Sequence, residues 1–372
     1  MNLIELHILQ SFPVSCLNRD DVGAPKTARF GGCQRARISS QCWKRAIRTL
    51  AKESEAELFA GQRTRFVVRA LEELYLANDT APEEARVLAS LTADALGKLD
   101  DLEKGNVKTL LYFSPQELGS VVANMLEQDY SALLAAVVSD PGSDKKAGKE
   151  KEKAGKDLSK LAEKAAKALK NKVKDTADIA IFGRMVADDH SLMLEGAGLF
   201  SHILSTHSAT NEIDFFSAVD DQNMDDSGAG HIGTIEFNSA CYYRYIGLNL
   251  DLLKDADHLG HFDEQELRAV VETFLRSAIM SVPAARKNSM FGFNPPAYVL
   301  GLTRMGQPLS LVNAFETPVR SSQGYIEEST QAMMRHWEAL TETYCLRDQV
   351  VTEAILPESN LNDFIAQLTA EL

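Results

Sequence analysis

Eight cations between Val22 and Lys52 (Lys26, Arg29, Arg35, Arg37, Lys44, Arg45, Arg48 and Lys52) stand without one acid among them, in a chain whose formal charge is −14. Uncompensated ammonium and guanidinium groups at this density, in an otherwise acidic protein, point to a phosphate-bearing partner. The competing reading is a solvated surface helix, but such helices usually mix signs. A second basic segment, Asp144 to Lys174, carries twelve lysines and five acids. It reads either as a solubilising linker or as a lysine comb able to reach a duplex backbone, through Lys145, Lys146, Lys149, Lys151, Lys153 and Lys156.

Other chemistry has less support. The acid pairs Asp20-Asp21, Asp188-Asp189, Asp220-Asp221 and Asp225-Asp226 are of the kind that holds Mg²⁺ for phosphodiester cleavage, yet adjacent pairs arise by chance among 53 acids. His190, His202, His207 and His231 lack the HExxH spacing of a zinc site. Five scattered cysteines (Cys16, Cys33, Cys42, Cys241, Cys345) form no CxxC pair and suit neither a disulfide framework nor a thiolate zinc site. There is no Walker A motif, no GxGxxG after a strand and no GxSxG. No catalytic residue, metal or cofactor is expected.

The elements that position the first cations are a short strand and a helix. Leu3 to Gln10 alternates Ile4, Leu6 and Ile8 and predicts a strand. Ser39 or Ser40 caps a following helix, with Trp43, Ala46, Ile47 and Leu50 on one stripe. At about 100° per residue, Gln41, Lys44, Arg45, Arg48 and Lys52 fall on the opposite face. Ahead of the helix, Phe30-Gly31-Gly32 predicts a turn whose glycines allow close approach to a phosphate.

From Ala51 to about Ala180 the pattern is helical, an insertion with its own core. Pro82 marks a first helical position, and Ser114-Pro115-Gln116-Glu117 is a capping box. Gly142 to Lys156 has no apolar residue larger than alanine and is expected to be flexible. Phe215-Phe216 sits in a polar stretch, where such a pair stacks on bases or tucks under a loop as a small core. Ile232 to Phe237 and Cys241 to Leu250 read as two strands joined by Asn238-Ser239-Ala240. Asp263 caps a helix, Ala297 to Thr303 is another strand, and two helices close the chain at Ile326 to Cys345 and Leu361 to Leu372. Without the insertion the order is βαββαβ, a ferredoxin-like α+β fold, although the RNP1 aromatic signature of RNA-recognition motifs is absent. No apolar run approaches the ~18 residues of a membrane helix, and the first residues lack a basic leader. A cytoplasmic protein with no membrane partner is the expectation.

The ordered set SCLNRDD, FGG, RARISSQ, KRAIR, GRM, STH, IDFFSAVDD, HIGTIEF, YRY, FNP and LSLVNAFE, from Ser15 to about Glu316, resembles the CasC/Cse4 family. That family is the backbone subunit of the type I-E CRISPR Cascade surveillance complex. The resemblance implies a non-catalytic subunit shaped as a hand: an RRM-like palm (1–52, 183–208 and 232–320), helical fingers (53–182, with the lysine-rich segment 144–174), a thumb loop (209–231) and C-terminal helices (321–372). It implies copies of the chain polymerised along the spacer of a crRNA, with other Cascade subunits, presenting it for pairing with target DNA. By position, Arg19, Lys26, Gln41, Lys44, Arg45 and Arg48 would hold the RNA backbone, and Met185, Phe215 and Phe216 would wedge beside a displaced nucleotide. A guide-directed, metal-dependent ribonuclease of a related effector is the alternative.

Overall fold

The computed structural model describes residues 1–101, 103–139, 145–167, 176–185, 193–219 and 229–372. In chain order the elements are β1 (Asn2–Ser15), β2 (Thr27–Phe30), β3 (Cys33–Ile38), α1 (Ser40–Ser54), β4 (Gln62–Thr64), α2 (Val67–Ala77), α3 (Pro82–Gly97), β5 (Leu99–Asp101), β6 (Asn106–Val107), β7 (Leu111–Phe113), α4 (Pro115–Leu126), α5 (Ser131–Val138), α6 (Lys145–Lys167) and α7 (Ala177–Phe182). They continue with β8 (Gly198–Phe200), β9 (Ile203–Ser205), β10 (Glu212–Val219), β11 (Ala229–Asn249), α8 (Leu250–Leu253), α9 (Glu264–Met280), β12 (Tyr298–Met305), α10 (Ile326–Thr343), β13 (Val350–Leu356) and α11 (Leu361–Leu368). The fold is α+β with a large antiparallel sheet, the class the sequence predicts. Two compact units form: Met1–Ala56, Ala197–Lys254 and Phe262–Leu372 make the first, and Glu57–Gly196 with Asp255–His261 the second.

The first unit is built on a sheet ordered β13–β12–β1–β11–β9–β3–β2, with β8 and β10 also paired to β11. Antiparallel ladders flank β1 on both edges: Leu3 to Phe12 run against Asn249 to Ala240 of β11, and Asn2 to Leu9 against Met305 to Tyr298 of β12. Leu3, Ile4, Leu6, Ile8 and Leu9 are all buried, so β1 is covered on both faces. On one face Glu5, His7 and Leu9 lie with Tyr243, Tyr245, Leu300 and Leu302 beneath Met333 and Trp337 of α10. On the other, Phe12 meets Trp43 of α1 edge-on at 6.3 Å, and the Arg244 guanidinium lies 4.2 Å from the Trp43 ring centre.

The ionisable groups inside this core are met by an ion pair, by neutralisation or by partial hydrogen bonding, with His7 Nε2 and Arg244 Nε left without a partner among the described residues. Glu5 pairs with Arg304, both buried, and also accepts hydrogen bonds from the Tyr245 hydroxyl and from Leu309 N at 2.8 Å. Burial, with Arg304 nearby, pushes the His7 pKa down to about 3, so the ring is neutral and meets the Tyr243 hydroxyl at 2.9 Å. Arg244 donates to Ala278 O at 3.0 Å and Gln10 Oε1 at 2.7 Å, and burial lowers its pKa to about 9.

Three sequence expectations change. The hairpin expected between Ile232–Phe237 and Cys241–Leu250 is a single strand, β11. Asn238, Ser239 and Ala240 stay extended because Asn238 and Ala240 pair with Ser15 and Phe12, and Ser239 Oγ donates to Phe12 O at 2.9 Å. Cross-strand pairing thus overrides turn propensity. Thr27 to Ile38 forms a hairpin whose turn residues Gly31 and Gly32 have φ of 58° and 77°. A Cβ at Gly31 would lie 1.6 Å from Glu316 O, so this close approach serves the chain's own backbone rather than a phosphate. The strand β13, on the edge of the sheet, was not expected.

The second unit packs α2, α3, α4 and α5 around Leu71, Tyr75, Leu88, Val121 and Met125, and α6 closes that core with Leu158 and Ala162. The flexibility expected for Gly142 to Lys156 is therefore corrected over the described part: Lys145–Lys167 is one helix. Its alanines, lysines and glutamates favour helix, Ala154 is buried, and Lys156 meets Glu152 at 2.7 Å one turn away. The Ser114–Glu117 capping box forms as expected. Behind it Arg184 and Glu117 pair at 2.6 Å, both buried.

Glu5→Gln removes the charge that Arg304 faces and leaves a cation buried. The expected loss is about 3–5 kcal/mol, read as a lower urea midpoint with an unchanged slope.

Candidate nucleic-acid interface

The cationic face is assembled by Asn18. Its carbonyl accepts from Lys26 N at 2.9 Å and its side-chain oxygen from Ser39 N at 2.9 Å, so the loop carrying Arg19 and Lys26 is tied to the first turn of α1. Ser39 caps that turn, its Oγ accepting from Cys42 N at 3.3 Å. Trp43, Ile47 and Ala51 are buried, while Gln41, Arg45 and Arg19 are exposed and Lys26, Lys44, Arg48 and Lys52 half-buried. Lys44 holds its ammonium 4.7 Å from the Phe200 ring centre. Asp20 closes the loop, its Oδ1 accepting from Val22 N at 3.1 Å and Ala24 N at 2.9 Å, and places one carboxylate beside Arg19.

Two thiols, Cys16 and Cys42, lie close to these cations. Burial pushes the Cys42 pKa up, against the pull of Lys26 and Arg45. Burial likewise raises Cys16, opposed by Arg286 and Arg19. Arg286 is thus a half-buried cation beside Cys16, near Arg19, which sequence reading missed. The available signal was the Arg286-Lys287 pair just ahead of Met290-Phe291-Gly292-Phe293.

Arg35 leaves the set. It is fully buried, and its guanidinium donates to Phe30 O at 3.2 Å, Ser205 O at 3.0 Å and Phe315 O at 2.7 Å. Those carbonyls make it a structural cation.

Phe215 and Phe216 lie in strand β10 rather than in a loop, opposite Thr234 and Gly233 of β11. Phe215 is 64% exposed, whereas Phe216 is half-buried with its ring over Gly233, where a Cβ would come within 2.5 Å. Met185, in the second unit, is 81% exposed. Along α6, Lys146, Lys149, Lys153 and Lys156 are exposed, Lys151 is half-buried and donates to Ser139 O at 2.9 Å, and the Lys145 side chain is outside the described residues.

His202 and His207 have partners within the chain. His202 Nδ1 accepts from Ser40 N at 3.3 Å. His207 Nε2 accepts from Cys241 N at 3.1 Å, and its ring stacks on Tyr325 at 3.7 Å. His190, the His231 side chain and the pairs Asp188-Asp189, Asp220-Asp221 and Asp225-Asp226 lie outside the described residues. Among the described residues no group of three or more His, Cys, Asp or Glu is arranged to hold a metal ion, and no helix is long and apolar enough to cross a membrane.

The model of the family described as CT1975-like protein matches residues 4–369. No curated protein matches the chain. A chain of a solved "CRISPR RNA-guided surveillance complex, pre-nicking" is similar at 27% identity, with 99% of each chain covered and a TM-score of 0.77. A chain of a second "CRISPR RNA-guided surveillance complex", at 22% identity over 99% of this chain and 97% of that one, has a TM-score of 0.58 and shares the fold.

Arg35→Ala and Arg45→Ala are expected to separate fold from surface. The first removes a charged donor from three buried carbonyls, about 1.5–3 kcal/mol for each such bond, and lowers the thermal midpoint. The second leaves the midpoint unchanged within error.

Proposed function

The chain belongs to the CT1975-like family, and from that premise we propose that it is the non-catalytic, crRNA-binding backbone subunit of a CRISPR surveillance complex. Likeness to a chain of such a complex over 99% of both chains supports membership of one. The observation that carries the RNA-binding role is the basic face of α1 at Gln41, Lys44, Arg45 and Arg48, joined through Asn18 to Arg19 and Lys26. A guide has to be bound whatever its sequence, so phosphates are gripped and base edges left free. Arg19, Lys26, Gln41, Lys44, Arg45 and Arg48 take the backbone contacts. Copies of the chain polymerise along the crRNA, other Cascade subunits join them, and the displayed guide pairs with target DNA in the cytoplasm.

In this reading the palm is the set β12–β1–β11–β9 with α1 and α9, an order that suits a ferredoxin-like core. The fingers are the second unit, and the thumb is the β10–β11 hairpin. Exposed Phe215, with Phe216 and Met185, wedges at a displaced nucleotide, where apolar side chains offset lost stacking. Exposed lysines along α6 reach the duplex backbone of target DNA.

Replacing Lys44, Arg45 and Arg48 by Ala should weaken binding of every single-stranded RNA alike, and each lost phosphate contact should remove about 0.7 from the log–log salt slope. An unchanged slope means that these cations face bulk water and the RNA reading fails. A separate measurement addresses α6. Lys149→Gln, Lys153→Gln and Lys156→Gln together should leave RNA loading intact and reduce duplex affinity of the assembled complex at low salt. Equal duplex binding returns α6 to a purely structural role.

A further inference from the structure

Beside the cationic face lies a cleft of about 680 Å³, a size that ligand pockets commonly have. One wall is α1, through Cys42, Arg45, Thr49 and Leu50; the other is the loop from Val282 to Phe293, with Met280 and Ser281 at the end of α9 between them. Three features of this cleft are unexplained by the fold. Phe291 and Phe293 line it while 68% and 44% exposed, two large rings that the core does not use. Ser281 is buried at 3% exposure, lines the cleft, and its hydroxyl has no hydrogen-bond partner among the described residues. The rim carries Arg45 and Lys287 against one acid, Glu53, so the opening favours an anionic occupant.

We propose that this cleft receives one unstacked base of the single-stranded RNA whose phosphates α1 holds, the base lying against Phe291 and Phe293. The proposal rests on the RNA-binding reading and deepens it by giving the bases, and not only the phosphates, a place on this chain. Aromatic rings beside a basic groove are the means by which single strands are held without regard to sequence, because every base offers a π-face. Met280 and Met290 line the same space and adapt to purine or pyrimidine alike. Lys287, outside α1, supplies a phosphate contact on the opposite rim.

The full-length chain would be irradiated with single-stranded RNAs carrying 4-thiouridine at successive positions, and the crosslinked peptides mapped. Crosslinks on the segment Met290 to Phe293 are expected. Phe291→Ala/Phe293→Ala should weaken RNA binding about tenfold, within the range measured for base–aromatic stacking, and leave the salt slope unchanged, because stacking releases no counterions. Lys287→Gln should instead lower that slope by about 0.7. A urea midpoint equal to that of the wild type confirms that the variants fold, and crosslinking of the wild type needs no variant at all. Crosslinks confined to α1, with unchanged affinity in the double variant, would overturn the base site and leave the phosphate reading standing. Absence of any RNA binding by the wild type would remove both. Loss of self-association by the RNA-free double variant in sedimentation, without loop crosslinks in the wild type, would assign the cleft to a second copy of the chain and overturn the proposal.

Discussion

The carboxylate of Glu5, buried in β1 between β11 and β12, constrains the whole first unit. A charge there survives only if it is matched, and Arg304, the Tyr245 hydroxyl and Leu309 N meet it from β12, β11 and the segment after β12. Those partners fix the order of the three central strands and draw the 309–315 segment across the sheet, where Leu311 N reaches the Tyr243 hydroxyl at 2.8 Å. Helix α10 then seals the same face with Met333 and Trp337. Tyr243 and Tyr245, which occupy a sheet face as stacking aromatics would, are thereby buried, and burial raises both phenol pKa values. This sheet face is closed to bases. The cations are placed on the other side of the architecture, on the helix that covers the opposite face and on the loop tied to it.

Much of this arrangement was legible from local chemistry. The Ser39 cap, the capping boxes at Ser114 and Asp263, and Pro82 at a first helical position each rest on interactions within one turn of helix, and each formed where the residues predict it. What local reading got wrong depended on distant partners. Asn238-Ser239-Ala240 has the composition of a turn, but β1 lies alongside it. Lys145 to Lys156 has little to bury, but Ala154, Leu158 and Ala162 align once the helix is continuous and find α3, α4 and α5. Arg35 counts as one more cation in a sequence and becomes a hub for carbonyls only in three dimensions.

The site was half visible for the same reason. Charge segregation in α1 is a one-dimensional signal, and Gln41 and Arg45 are exposed as the helical period demands. Arg286 and Lys287 lie more than 200 residues away in sequence, and only the folded chain brings Arg286 to Cys16 beside Arg19. Cations gathered in this way make a basic surface on a protein whose formal charge is −14.

The length of β11 gives the first unit a mechanical property. One uninterrupted strand of 21 residues runs from the β10 hairpin, where Phe216 faces Gly233, into the middle of the sheet, where Tyr245 faces His7. The ladder with β1 holds β11 from Asn238 inward, so at about 3.3 Å per residue the steps from Gly233 to Asn238 project roughly 17 Å beyond it, paired there with β10. A load applied near Phe215 passes along the same backbone into the ladder with β1, and the register shift between Phe12 and Ser15, opposite Ala240 and Asn238, marks where that lever arm ends.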